Sequence, residues 1–392
     1  MTIAFYLPQF HAIPENDDWW GAGFTEWTNV KRAVPAYRGH VQPNEPATPF
    51  GEYNLLDPSV VEWQTKIAME NGIDAFCYYH YWFAGVRLLE QPLDNYLESQ
   101  ISMPFAICWA NENWSRRWDG KNHEILMAQD YDNETPRRVF ESFVPYLSDS
   151  RYVRRDNKCV LLVHRVDHLP DAKHYASEWR RLAHEHNIGE LWLVASETSP
   201  GLDPRDFGFD AAAEFPPVGD NTIASALLHP PNSLNPDFRG RLMSYSRLAR
   251  WYENRSTPPF PRHRGLVPRW DNSPRRMLKA TLFHGSTPER YGLWLTRARR
   301  DEQEQRPGTG LVFVNAWNEW AEGAYLEPDH QYGDAYLRAS NWNIHVESNF
   351  RHPRVSHPFI AHLSWAFAQS LLQAVASTVK NFAKHCQRKL VR

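Results

Sequence analysis

Two glutamates stand three residues apart at the end of an apolar run, in Leu311–Glu322, L-V-F-V-N-A-W-N-E-W-A-E. On a helical turn, Glu319 and Glu322 share one face, with Cβ atoms roughly 5–6 Å apart. That spacing approaches the roughly 5–5.5 Å carboxyl separation of a retaining glycosidase and falls short of the wider gap in which an inverting enzyme holds its water. Two like charges so close, beside the indoles of Trp317 and Trp320, cannot both stay comfortably ionised, so one is expected to keep its proton near neutral pH. A general acid and a base could therefore share this turn. The plainer reading makes the pair a cap for a helix starting near Gly323, but capping gives no account of Trp317, Asn318 and Trp320 around the same turn.

Positioning such a pair calls for a rigid scaffold, and the chain repeats one pattern along most of its length. Apolar, strand-like runs occur at Ile3–Gln9, Ile73–Phe83, Pro104–Trp109, Cys159–Arg165, Leu191–Ala195, Asp210–Phe215, Gly265–Val267 and Leu311–Asn315. Helical spacing falls between them, as at Val60–Asn71, Leu88–Ser99, Thr135–Leu147, Asp171–His186, Tyr245–Glu253 and Thr287–Arg300. Eight such alternations predict an α/β fold, a (β/α)8 TIM-type barrel, with function at the C-terminal ends of the strands. An open doubly wound sheet is the alternative, weakened because no G-x-G-x-x-G or P-loop follows the first strand. The segment from His11 to Asn54 reads as one long first βα loop and, at that length, as a lid or substrate-binding loop.

Polar and aromatic clusters follow the strands, which makes Glu26, Trp27, His80, Tyr81, Trp82, Asn111, Glu112, Trp114, Glu214, Trp270 and Asp271 candidate substrate-binding residues, joined by Trp317 and Asn318. Each carboxylate among them has a plainer reading as the partner of an arginine such as Arg116, Arg117 or Arg269. For His80 that reading is a hydrogen-bonded core histidine. With 17 Trp, 17 Tyr and 20 Phe, the composition suits a sugar, whose C–H faces stack on rings and whose hydroxyls demand partners. A net charge of −3 supplies no field for nucleic acid, so none is expected as a partner. Four separated cysteines, Cys77, Cys108, Cys159 and Cys386, fit buried free thiols; no Cys/His spacing predicts a metal site and no motif predicts a cofactor. With no signal-peptide pattern and no apolar run of membrane-spanning length, the expected location is cytoplasmic.

From Ser348 to Arg392 the chain carries basic residues and no Asp or Glu. Apolar residues there recur at spacings of three and four, predicting an amphipathic helix over Pro358–Gln387. The expected organisation is thus a catalytic barrel over 1–345 and a basic helical tail over 346–392. The tail either packs on the barrel or makes a peripheral contact with the anionic inner membrane.

Six stretches carry a family resemblance: Y-L-P-Q-F-H from Tyr6, G-F-T-E-W-T-N-V from Gly23, F-C-Y-Y-H-Y-W-F from Phe76, C-W-A-N-E-N-W from Cys108, E-F-P-P from Glu214, and N-A-W-N-E-W-A-E-G-A-Y-L-E-P from Asn315. Over roughly residues 3–338 the chain resembles the WbsX-like family, bacterial proteins found with lipopolysaccharide and capsule biosynthesis and named as glycosyltransferases. That family is similar to glycoside hydrolase family 99, retaining endo-α-mannosidases built on a (β/α)8 barrel. Its N-E-W-x-E-G signature matches Asn318, Glu319, Trp320, Glu322 and Gly323 here. The resemblance implies that Glu319 deprotonates a sugar 2-hydroxyl, which attacks the anomeric carbon to give a 1,2-anhydro sugar. Glu322 would protonate the leaving oxygen and then activate water or an acceptor. In the mannosidases the x is often His; Ala321 removes that polar contact and leaves the sugar open.

Three functions are therefore in view: retaining glycoside cleavage, glycosyl transfer in O-antigen or lipopolysaccharide assembly, and non-catalytic glycan binding through Trp27, Trp82, Trp114 and Trp270. The first is favoured, because a carboxylate pair is what acid/base cleavage of an acetal needs. Against a nucleotide-sugar transferase stands the lack of a diphosphate-binding turn.

Overall fold

A computed structural model of the chain describes residues 1–115, 125–199, 201–218, 225–227, 230–231 and 233–341. Eight strands form its centre: β1 Thr2–Tyr6, β2 Ala75–Phe83, β3 Phe105–Trp109, β4 Lys158–Val163, β5 Leu191–Glu197, β6 Ala211–Glu214, β7 Arg262–Leu266 and β8 Val312–Val314. Each pairs in parallel with the next, and β8 pairs with β1 through Thr2 to Val312, Ile3 to Phe313 and Ala4 to Val314. The sheet is therefore a closed barrel, as the alternation predicts, and most of its strands are largely apolar because both faces are covered, with the R-H-R of β7 the exception.

Helices fill the return connections at Pro58–Glu70, Gln91–Glu98, Thr135–Leu147, Ala172–Glu185, Tyr245–Glu253 and Pro288–Gln305. Local chemistry starts several of them. The Asp57, Asp171, Ser244 and Thr287 side chains accept from the backbone amides of Ser59, His174, Arg247 and Arg290, satisfying donors that a helix start leaves unpaired. Among the described residues, the connection between β5 and β6 carries only the short turn Pro204–Phe207. Strand β6 passes so close to β7 that a Cβ on Gly265 would lie 1.8 Å from the Glu214 carbonyl oxygen.

Two expectations change. The 11–54 segment is not structureless: it forms the helices Pro14–Trp20 and Glu26–Lys31. The turn carrying the glutamates is not α-helical. Asn318–Glu319 pairs with Ala324–Tyr325 as a minimal antiparallel ladder around a 3-10 turn, Trp320–Glu322, so no helix follows for the pair to cap.

Cys77, Cys108 and Cys159 are buried free thiols. Cys386 and the expected tail helix lie outside the described residues, as do Arg116 and Arg117. Among the described residues no helix is long and apolar enough to cross a membrane.

Candidate active site

A cavity of about 380 Å³ opens at the C-terminal ends of the strands, within the range of small-ligand sites. Its wall takes Leu7 and Gln9 after β1, Tyr79 and Tyr81 from β2, Glu112 and Trp114 after β3, His164 and Arg165 after β4, and Phe215 after β6. Asn272, Arg275 and Arg276 after β7 and Glu319 and Glu322 after β8 complete it, with Trp20 reaching in from the first connection. In a 3-10 turn residues i and i+3 eclipse, so Glu319 and Glu322 reach the same space by a route other than an α-helix.

One guanidinium gathers the acids. Arg275 donates from Nη1 to Glu322 Oε1 at 2.6 Å, from Nη2 to Glu319 Oε2 at 3.2 Å and from Nε to Glu26 Oε1 at 2.8 Å. Three carboxylates around one guanidinium leave an excess of negative charge, with Glu26 and Glu319 buried and Glu322 partly exposed to the cavity. Burial raises Glu319 to about 8; Arg275 opposes the rise, and the charges of Glu322 and Glu26 add to it. Glu322 is also raised, again by burial first, with Arg275 opposing. The pair thus shares a proton at neutral pH. The shorter bond to Arg275 marks Glu322 as the better compensated anion, so the proton favours Glu319.

The turn is fastened at three points. The Asn318 carboxamide donates to the Leu7 carbonyl at 3.0 Å and accepts from the Leu7 amide at 2.7 Å. The Trp317 amide donates to the Phe5 carbonyl at 2.8 Å. The Asp271 amide donates to the Glu322 carbonyl at 2.7 Å, across Gly323. Gly323 has φ +60°, and a Cβ there would sit 2.9 Å from Asp271, so both conformation and space call for glycine.

Of the expected substrate-binding residues, Tyr81, Glu112 and Trp114 line the cavity with the two glutamates, and Glu26 lies behind Arg275. Glu112 pairs with Arg165 at 3.2 Å. The others are placed elsewhere. His80 faces the helix Thr135–Leu147, where its Nε2 meets Ser142 Oγ at 3.0 Å; burial pushes its pKa down to about 3, so it is a neutral core histidine. Trp82, from the same side of β2, packs edge-on to Trp109 beneath Arg138. Trp27 is enclosed by Phe10, Tyr53 and Trp320, its Nε1 donating to the Tyr53 carbonyl.

Asn111 spans to the backbone of Arg165 with both amide atoms, holding that arginine rather than facing the cavity. Glu214 is sealed among Arg255, Arg262 and Arg264, each 3.2 Å away. Trp270 and Asp271 border a separate hollow of about 270 Å³, in which the Asp271 carboxylate meets His40 Nε2 at 2.7 Å. Trp317 and Asn318 are fully buried supports of the turn.

Arg275 escaped sequence reading. It sits 44 residues before Glu319 in S-P-R-R, a stretch that looks like basic surface. The arginine partners suggested by sequence fall differently too, since Arg269 pairs with Asp329 and lies against Tyr325, Tyr332 and Tyr336.

Comparison with known proteins places the chain. Protein WxcX of Xanthomonas campestris pv. campestris, uncharacterized, is 43% identical over 340 residues in each of two strains, covering 86% of this chain and 48% of the relative. The chain spans about half the length of these curated relatives. A solved structure described as a glycoside hydrolase-like protein shares the fold at 14% identity and a TM-score of 0.51, covering 86% of this chain and 92% of that one. The GH99 endo-α-mannosidase from Bacteroides thetaiotaomicron, in complex with bis-tris-propane, matches at 12% identity and a TM-score of 0.49, covering 87% and 94%. The family model for glycosyltransferase WbsX matches residues 2–340, so the chain belongs to the WbsX glycosyltransferase family of carbohydrate-active proteins.

Proposed function

We propose that the barrel is a retaining carbohydrate-active enzyme that cleaves or transfers at α-mannoside-like linkages of bacterial surface polysaccharide, of O-antigen or capsule type. The observation that carries this reading is the pair Glu319 and Glu322 on one guanidinium in one cavity, both carboxyls pushed up by burial. Acetal cleavage with retention needs a base and an acid within reach of one anomeric centre. Aromatic rings of Trp20, Tyr79, Tyr81 and Trp114 on the cavity wall offer stacking faces for sugar rings.

The route follows the resemblance of the N-E-W-x-E-G segment. A sugar 2-hydroxyl donating to Glu319 stabilises its carboxylate form and moves the shared proton to Glu322. Glu319 then takes the 2-hydroxyl proton as O2 attacks the anomeric carbon, while Glu322 gives its proton to the departing oxygen. Glu322 next accepts a proton from water or a sugar hydroxyl, which opens the 1,2-anhydro ring; O2 recovers its proton from Glu319. Water as acceptor gives hydrolysis, and a second sugar gives transfer.

A second reading, a glycosyltransferase of lipopolysaccharide or O-antigen assembly, is favoured by the family's description. On it, the reaction belongs in the cytoplasm, on lipid-linked glycans. A non-catalytic glycan-binding barrel has no use for the paired acids.

The test incubates the chain with α-mannan-type and deoxyhexose polysaccharides and follows products by mass spectrometry and NMR, with Glu322→Gln as control. Shorter glycans of retained configuration, lost in the variant, support cleavage. No release, but growth of a lipid-linked acceptor with nucleotide sugars, moves the chain to the transferase reading. Glycan binding undiminished in both Glu319→Gln and Glu322→Gln, with no turnover by the unaltered protein, leaves the binding barrel.

A further inference from the structure

Beneath the turn that carries the cavity acids lies a carboxylate the proposed chemistry does not use. Glu327, five residues after Glu322, is 2% exposed, and no ion pair among the described residues involves it. Its partners are all neutral: Trp320 Nε1 and Tyr53 Oη donate to Oε2, each at 2.7 Å, and Gln64 Nε2 donates to Oε1 at 2.6 Å. Tyr6 Oη in turn donates to Gln64 Oε1 at 2.6 Å, which orients that carboxamide with its NH2 toward Glu327. A buried carboxylate without a counter-ion is costly, so an arrangement that keeps one satisfied by three donors calls for a reason.

The reason lies in what Trp320 holds. Its indole belongs to the residue directly after Glu319 and two before Glu322, stacked on Tyr325 with centroids 3.8 Å apart and tilted against Trp27. An indole N–H only donates, so its direction is set by the acceptor it finds. Glu327 is that acceptor, and through Gln64 and Tyr6 it ties the ring to the helix Pro58–Glu70 and to β1.

We propose that Glu327 is a positioning residue for the carboxylate pair: it pins the Trp320 indole and thereby sets where the 319–322 turn presents Glu319 and Glu322. An ionised carboxylate suits the role, because it is acceptor-only and meets three donors. A proton on it would have to turn Tyr53 from donor to acceptor. Burial raises Glu327 to about 7, with the Tyr53, Trp320 and Gln64 bonds pulling the other way, so the clasp tightens across the neutral range as pH rises. The titratable groups around it are Tyr53 and Tyr6, both raised far above ordinary tyrosine by burial.

The inference rests on the proposed function for its kinetic arm only. Three variants of the full chain are compared: Trp320→Phe, which keeps a ring and removes the N–H; Glu327→Gln, which matches the carboxylate in shape; and Tyr53→Phe, which leaves the Trp320 bond in place. With an active glycan, Trp320→Phe and Glu327→Gln each lower kcat at least tenfold with KM within twofold. The double variant is no worse than either single one, and Tyr53→Phe stays near full activity. Crystal structures of Trp320→Phe and Glu327→Gln then show the Glu319 and Glu322 carboxylates displaced relative to Arg275. Full kcat in both variants, or additive losses, overturns the positioning role. Should the unaltered chain turn over no glycan, the functional reading falls on its own, and the crystal structures still decide: an unmoved 319–322 turn in both variants overturns the inference.

Discussion

Replacing Glu319 by Gln should make the protein more stable in alkaline solution while removing its chemistry. A carboxyl whose pKa rises from 4.5 in the unfolded chain to about 8 in the folded one binds its proton more tightly when folded. Its contribution is fully present below pH 4.5 and is lost as pH rises through 8. The whole shift corresponds to about 5 kcal/mol, and relaxation of side chains and water around the buried charge brings the expected loss to about 2 kcal/mol. Glutamine is neutral at every pH and has nothing to lose. Thermal melts of the two proteins should coincide near pH 5 and separate by about 2–3 °C at pH 9, Glu319→Gln melting higher. Equal melting temperatures at pH 9, or a less stable variant there, would mean that Arg275 fully compensates Glu319, and the argument for a shared proton would fall.

Arg275→Met removes the guanidinium that meets Glu26, Glu319 and Glu322 and should cost about 3 kcal/mol at pH 7 in urea melts, shrinking toward acid pH as the raised carboxyls of Glu319 and Glu322 take up protons. Glu302 is held at about 2: burial works to raise it, but His263 and Arg306 overcome that. Its contribution is present above pH 4.5 and lost as pH falls through 2, so Glu302→Gln should lose up to about 3 kcal/mol at pH 7 and little near pH 2. Gly265→Ala drives a methyl onto the Glu214 carbonyl and should cost about 3 kcal/mol or prevent soluble expression; a melt within 1 °C of the unaltered protein, a shift well under ~1 kcal/mol, would refute the contact.

The barrel was legible because closed parallel sheets leave a plain mark: eight strand-like, mostly apolar runs spaced by helical periods. The same property hid part of the site. On β2 the residues facing the cavity are Tyr79 and Tyr81, and those facing the helices are His80 and Trp82. Successive strand side chains alternate between faces, but with both faces buried the polarity carries no alternation to say which parity looks inward. Glu319 and Glu322 could be found because their spacing acts over one turn. Arg275 could not, since its pairing depends on how the connections after β7 and β8 fold over each other. Glu214 and Asp271 follow strands as expected, yet arginines and a histidine close on them from segments distant in sequence.

The seam between β1 and β8 has a consequence for when the molecule becomes competent. The Asn318 clasp on Leu7 and the Trp317 bond to Phe5 bridge some 311 residues. The turn bearing both acids is therefore shaped by the first strand of the barrel and by its last. A nascent chain still lacking its eighth strand owns neither acid, and a finished one whose first strand has not docked owns both without their setting. The two acids acquire their setting in one step, with ring closure, and a half-built barrel holds no arrangement of them at all.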